Sequence, residues 1–191
     1  RNRAVLLALF YLGLTPQEVR QMPVSAVLRE QRPNSAALGA IRALQLDGPG
    51  PNQRRRLETP PELGDALSQW MIARRTYAKA RALDTLFCSK RGGPLTPNTL
   101  LYLVKTNLQE AAARCNDGVL PPRAGPQVIR NTRLVLWLND GVPAAEVAVR
   151  AGLKNIKGLY HLREVVNPGI RHTLRHGRDD EDLWEHLAPT G

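Results

Sequence analysis

The side chains of this sequence that could do chemistry are mainly cations, placed in loops and at the ends of predicted elements. Arginine and lysine in such places favour contacts with phosphate groups, which position a protein on a nucleic acid without reading its base sequence. A scatter of solvated charges is the alternative. The candidate phosphate-binding residues are Arg54, Arg55, Arg56, Lys90, Arg91, Lys105, Arg123, Arg130, Arg133, Lys154 and Lys157.

The overall charge agrees with a nucleic-acid partner. The chain carries 27 Lys and Arg against 17 Asp and Glu, a formal net charge of +10. Such an excess is expected of a protein that binds a phosphate backbone, although a merely basic protein would show it too. The C-terminal segment instead carries a cluster of carboxylates, so we expect it to avoid DNA and to pack on a neighbouring subunit. Its carboxylates are Asp179, Asp180, Glu181, Asp182 and Glu185.

The sequence offers little support for disulfides, metal sites, cofactors or membrane insertion. Cys88 and Cys115 are too few and too far apart for a disulfide framework or a zinc ligand set, and we expect no metal and no cofactor. No apolar run approaches the roughly 18 residues that span a bilayer. We therefore expect a soluble, cytoplasmic protein with no membrane partner. The 191 residues suit one domain, and a start at Arg1 without Met indicates a piece of a longer chain.

The N-terminal third predicts two helices and a small sheet. An apolar helix over 2–12 is closed by Gly13, and Thr15, Pro16 and Glu18 form a capping-box pattern that opens a second helix. Alternating residues and turn signals then predict a small antiparallel sheet. Its expected strands are 24–28, 39–46 and 54–59, with a turn over 47–52.

The rest of the chain predicts helices. Trp70 falls on the apolar stripe of a helix that follows Pro60 and Pro61, so we expect it in the core. A loop over 86–95 precedes a helix capped by Thr96. The further expected helices are 127–140, 143–151 and 155–166, followed by a basic stretch and an acidic helix around 182–187. The sequence thus predicts an α+β, mostly helical fold with a three-stranded antiparallel sheet.

Four strings, in this order and spacing, carry a resemblance to a known family. They are RNRAVLLALFYLGLTPQEVRQM, GAIRALQL with RRRLETPPEL, LFCSKRGGPLTPNTL, and PQVIRNTRLVLWLNDGVPAAEVAVRAGLKNIKGLYHL. Together they resemble the C-terminal catalytic domain of the tyrosine recombinases, the phage integrase family. The resemblance implies a catalytic-type domain over 1–166. It leaves 167–191 as an extension that would dock on a partner subunit and make a homo-oligomer.

The resemblance also implies a chemistry. In that family a tyrosine hydroxyl attacks a DNA phosphate without a metal, and two arginines, a hairpin lysine and two histidine-type groups stabilise the phosphoryl oxygens. The matching candidates here are Arg130 as the second arginine and Tyr160 as the nucleophile. Tyr160 follows Gly152 by about two residues fewer than the family pattern, a rotation of roughly 200° on a helix. A structural role for Tyr160 is the alternative.

Four of the six family positions differ. Thr15 stands where the first arginine would be, the hairpin turn over 47–53 has no lysine, and Gln127 and Leu153 replace the two histidines. Loss of one such donor typically lowers the rate by about a hundred- to a thousandfold. The resemblance therefore implies a degenerate active site. The string HTLRH over 172–176 looks like the family's histidine–arginine motif, but it comes after Tyr160. We interpret it as coincidence or as a basic surface patch.

Three functions stay open at this point. The first is a DNA-binding protein that has lost most catalytic residues and acts as a regulator, an accessory factor beside an active recombinase, or a DNA-organising factor of the bacterial nucleoid. The second is an active recombinase of a mobile element, integrating or recombining DNA through an atypical site. The third is a protein-interaction module that has lost DNA. Asn98 and Asn107 are the candidates for base contacts.

Overall fold

The computed structural model describes residues 1–30, 39–50, 52–115, 118–120 and 123–174. Within these ranges the fold is α+β and mostly helical, as predicted. The helices are α1 (Asn2–Leu12), α2 (Pro16–Gln21), α3 (Pro61–Arg74), α4 (Pro97–Arg114), α5 (Pro126–Asn139) and α6 (Ala144–Arg150), and the strands are β1 (Val27–Arg29), β2 (Ile41–Leu46) and β3 (Arg55–Glu58). Short 3-10 helices lie at Val24–Ala26, Ala78–Ala82, Ile156–Leu162 and Pro168–Leu174.

The corner between α1 and α2 is formed by Gly13 and the predicted capping box. Gly13 ends α1 with a φ of 57°, which a residue with a side chain rarely adopts. A Cβ there would also lie 3.1 Å from the ring of Trp137 on α5. Thr15 accepts a hydrogen bond from the Glu18 amide, and the Glu18 carboxylate accepts one from the Thr15 amide. The corner therefore fixes where Thr15 and Glu18 lie against α5.

The sheet has the predicted antiparallel order β1-β2-β3. Leu44 pairs with Val27 on one side and with Leu57 on the other. The first strand is shorter than predicted, because residues 24–26 form a 3-10 turn in which the Val24 amide donates to the Asp84 carbonyl instead of to a strand. The hairpin of β2 and β3 carries residues 47–50 and 52–54 toward α2 and the loop after α6.

Two clusters of buried side chains hold the elements together. The first joins α1, α3, α4 and the sheet, and contains Trp70 as predicted. The Trp70 indole N–H donates to the Leu86 carbonyl at 3.0 Å, which satisfies its one polar group inside the core. The second cluster joins α5, α6 and the C-terminal 3-10 turns.

The C-terminal part differs from the prediction. The expected helix over 155–166 is shorter than predicted and of the 3-10 type, spanning Ile156–Leu162. At its start the Asn155 side chain accepts a hydrogen bond from the Lys157 amide. Residues 168–174 also form a 3-10 turn, and Leu174 is buried in the second cluster. The expected acidic helix around 182–187 lies outside the described residues. The boundary at residue 166 stays a prediction.

Among the described helices, none combines the length and the apolar character that crossing a membrane requires.

Candidate functional site

Arg130, the one arginine that matches the recombinase pattern, is buried in the protein. It lies on α5 with 3% of its surface exposed. Its Nη1 donates to the Gly13 carbonyl, and its Nη2 donates to the Ala151 carbonyl at 2.8 Å. Burial lowers the pKa of Arg130, and the nearby Glu18 carboxylate opposes that shift. The guanidinium therefore joins α5 to the end of α1 and to the residue that follows α6.

Arg55 on β3 makes a second set of internal bonds. Its side chain is 6% exposed, its Nη1 lies 2.8 Å from Oε1 of Glu18, and its Nε donates to the Arg150 carbonyl at 2.9 Å. Its Nη2 is buried and has no hydrogen-bond partner in the described part of the chain. Arg55 thus connects the sheet to α2 and to the end of α6.

Glu18 links Thr15 to Arg55. One Glu18 carboxylate oxygen, Oε2, accepts hydrogen bonds from the Thr15 amide at 2.7 Å and from the Thr15 hydroxyl at 3.0 Å. The other oxygen, Oε1, pairs with Arg55. Thr15 holds the position that resembles the family's first arginine. Sequence reasoning assigned Glu18 only to the capping box and missed its ion pair. We refer to Thr15, Glu18, Arg55 and Arg130 as the buried polar network.

The loop after α6, which contains Gly152 and Leu153, packs against this network. Gly152 has a φ of 67°, and a Cβ there would overlap the Arg55 guanidinium. Asn52 in the hairpin turn donates from Nδ2 to the Leu153 carbonyl at 2.8 Å. Leu153, which the sequence resemblance aligns with a family histidine, is half-buried and packs against the second cluster. The hairpin turn and the loop after α6 are therefore held together by backbone-directed bonds.

A cavity of about 290 Å³ lies beside the network, between α2 and the hairpin turn. Its wall includes the carboxylates of Glu18 and Asp47. No lysine or arginine lines the described part of that wall. Both carboxylates are already paired, Glu18 with Arg55 and Asp47 with Arg54, so the described wall offers a phosphate no free cation.

Gln127 and Tyr160, the remaining catalytic candidates, lie at different places. Gln127 is exposed on α5, and its Nε2 donates to Asn131 Oδ1 at 2.9 Å along the same helix. Tyr160 is half-buried on the 3-10 turn after α6, where it packs against the second cluster. A catalytic role for Tyr160 stays a prediction.

The predicted phosphate-binding residues fall into two groups. Arg55 and Arg130 are buried, and Arg133 is half-buried with its guanidinium 4.9 Å from the centre of the Trp137 ring. Eight are exposed, namely Arg54, Arg56, Lys90, Arg91, Lys105, Arg123, Lys154 and Lys157. Arg54 and Arg56 pair with Asp47 and Glu58, respectively. DNA contact stays a prediction for all eleven residues.

Six of the exposed residues make no salt bridge within the described part of the chain. These six, which we call the unpaired cations, are Lys90, Arg91, Lys105, Arg123, Lys154 and Lys157. No group of His, Cys, Asp and Glu among the described residues could hold a metal ion.

This arrangement of helices and sheet is the fold of a tyrosine recombinase catalytic domain. The site-specific recombinase XerH, bound to a palindromic difH substrate, aligns with a TM-score of 0.62 and 18% identity over 98% of this chain. The Tn1549 transposon integrase, in complex with transposon right end DNA, aligns at 0.64 and 17% over 98%. The XerA recombinase aligns at 0.60 and 16% over 100%.

The chain spans 45%, 58% and 60% of the lengths of these three proteins, respectively. No protein-family model matches the sequence, and no curated protein matches it. The likeness therefore establishes the fold.

Proposed function

We propose that this chain binds double-stranded DNA through exposed cations and does not cleave it. The observation that carries the proposal is the set of six unpaired cations, which lies on a fold whose solved examples include recombinases held on DNA. A cation without a carboxylate partner can neutralise a phosphate and release its counterions without first breaking an internal ion pair. Lys154 directly follows Leu153, whose carbonyl accepts a hydrogen bond from Asn52, so this exposed cation lies beside the hairpin turn.

The buried polar network supports the absence of cleavage. Cleavage needs donors aimed at the oxygens of the reacting phosphate. Here the terminal nitrogens of Arg130 donate to backbone carbonyls, and Arg55 pairs with Glu18. The neighbouring cavity presents carboxylates instead of cations. These groups stabilise the fold where a recombinase would stabilise a transition state.

The biological role that follows is that of a regulator, an accessory factor or a DNA-organising factor. Such a protein would act on the bacterial nucleoid, beside an active recombinase or as a homo-oligomer joined through its C-terminal segment. Binding without cleavage suits all of these roles, because each needs the protein to hold a site and leave it intact.

The test is duplex affinity across a salt series. We expect wild-type affinity to fall steeply with salt, and the Lys90→Gln/Arg91→Gln and Lys154→Gln/Lys157→Gln variants to weaken binding. Each variant should reduce the slope of log affinity against log salt concentration by roughly one to two, since each lost phosphate contact removes about 0.9 from that slope. The matched control is Arg75→Gln/Arg81→Gln, which removes two exposed cations outside the predicted set. No binding at low salt, or an equal loss in the control, would overturn the proposal.

A further inference from the structure

A groove of about 690 Å³ lies between α4, the loop over 89–94 and the first residues of the chain. That volume is typical of sites for small ligands. Its wall carries the cations Arg1, Lys90 and Arg91 against one carboxylate, Glu110. Hydroxyl groups of Ser89, Thr96, Thr99 and Thr106 also line it. The groove is therefore basic and rich in hydrogen-bonding groups, which suits an anion that also carries polar edges.

The loop that forms one wall is held in shape by its own hydrogen bonds. The Ser89 amide donates to the Gly93 carbonyl at 2.8 Å, and the Gly93 amide donates to the Ser89 hydroxyl at 3.2 Å. Gly92 turns the chain with a φ of 78°. Lys90 and Arg91 are thus presented from an ordered turn, which reduces the entropy lost when they bind a ligand.

Tyr102 gives this groove a feature that duplex binding does not explain. It lines the groove from α4 with 71% of its surface exposed. In an intact duplex the faces of the bases are covered by their neighbours, so a protein reaches only base edges. An aromatic ring stacks on a base whose face is free, as in a single strand.

We propose that this groove binds an unpaired nucleotide. Tyr102 stacks on the base, and Lys90 and Arg91 hold the phosphate. Thr99 and Thr106, on the same side of α4, donate to the sugar or to the base edge. The assignment goes beyond duplex binding, although both use Lys90 and Arg91. The nucleotide could come from a frayed or extended DNA strand or from a free nucleoside monophosphate, which share this chemistry.

The test compares two labelled duplexes by fluorescence anisotropy, one blunt and one with a short unpaired extension. We expect the extended duplex to bind about tenfold more tightly, as expected for one base stacked on an aromatic ring. Tyr102→Leu should remove this preference and leave blunt-duplex affinity unchanged, whereas Tyr102→Phe, which keeps the ring, should retain it. Competition by free dAMP would identify a mononucleotide as a ligand, and lack of competition would assign the site to a DNA strand.

The outcomes separate this inference from duplex binding. Blunt-duplex binding without a preference for the extension, or a preference that survives Tyr102→Leu, would overturn the nucleotide site and leave duplex binding intact. A preference for the extension in a protein that fails to bind the blunt duplex would overturn duplex binding and leave the nucleotide site intact.

Discussion

Glu18 and Arg55 form an ion pair of 2.8 Å between α2 and β3, with 22% and 6% of their side chains exposed. The pair lies beside Thr15, and the Arg55 guanidinium packs under Gly152. The chain thus uses charge at this place to join its own elements, and the consequences for stability can be measured.

A double-mutant cycle on this pair is the first prediction. We expect Glu18→Gln and Arg55→Met each to lower the free energy of unfolding by about 2 kcal/mol, because each leaves the other charge buried without its partner. The double variant should lose less than the sum of the two, with a coupling of at least about 1 kcal/mol. Urea unfolding measures all four proteins.

Arg56 and Glu58 provide the matched control for that cycle. Their nitrogen and oxygen also lie 2.8 Å apart, but their side chains are 58% and 69% exposed. Water screens such a pair, so its coupling should stay below about 0.5 kcal/mol. Equal couplings for the two pairs would contradict a structural role for Glu18 and Arg55.

Substitution of Arg130 should destabilise the fold. Arg130→Met leaves the carbonyls of Gly13 and Ala151 without their donor, and we expect a loss of about 3 kcal/mol, from roughly 1–3 kcal/mol for each group. Arg130→Lys should recover only part of this, because an ammonium lacks the two-pronged geometry of a guanidinium.

The control for Arg130 is Arg123→Met, at an exposed position, which should change stability by less than about 0.5 kcal/mol. Thermal unfolding compares the variants. An Arg130→Met protein that keeps its stability but loses DNA affinity would instead make Arg130 a DNA contact.

Gly152 offers a test of the packing over Arg55. Gly152→Ala should cost more than about 2 kcal/mol, because a Cβ would overlap the Arg55 guanidinium and the φ of 67° already disfavours a side chain. Gly141→Ala has only the backbone cost, since the φ of Gly141 is 84° but nothing lies within 4 Å of its Cβ position. We expect about 1 kcal/mol there. Similar losses at both positions in urea unfolding would show that the space beside Arg55 is open.

The two cysteines should react at very different rates. Cys115 is exposed, whereas Cys88 is buried and burial raises the pKa of its thiol. Since the thiolate is the reactive form, Ellman's reagent at neutral pH should modify one thiol quickly and the second only on unfolding. Cys115→Ser should abolish the fast phase. Two fast equivalents in the wild-type protein would contradict the packing around Cys88.

Arg55 and Arg130 were predicted as phosphate contacts and their burial was not predicted, although the sequence pattern carries a signal for it. On a strand, alternate side chains face the same way, so Arg55 shares a face with Leu57 while Arg56 faces outward with Glu58. On α5, Arg130 shares the apolar stripe of Leu134, Trp137 and Leu138. The acceptors for these guanidinium groups lie on other elements, and local patterns do not specify such long-range pairs.

Local chemistry predicted the α1 to α2 corner well, because the capping box of Thr15 and Glu18 depends only on neighbouring residues. A helix was predicted around Ile156–Leu162, but not its 3-10 form, which depends on contacts with other segments. The apolar spacing fits an α-helix, but a Cβ at Gly158 would lie 3.1 Å from the Leu153 side chain of the preceding loop, and a helical pattern does not show so close an approach between segments.

Covalent trapping on a nicked duplex distinguishes binding from attack by Tyr160. Duplexes that the protein selects from a random library are rebuilt with a nick, incubated with the protein and separated under denaturing conditions. We expect a complex that salt and denaturant dissociate completely, with wild-type and Tyr160→Phe proteins indistinguishable. A protein–DNA adduct that survives denaturation and disappears in Tyr160→Phe would contradict this expectation, because Tyr160 would then be a working nucleophile.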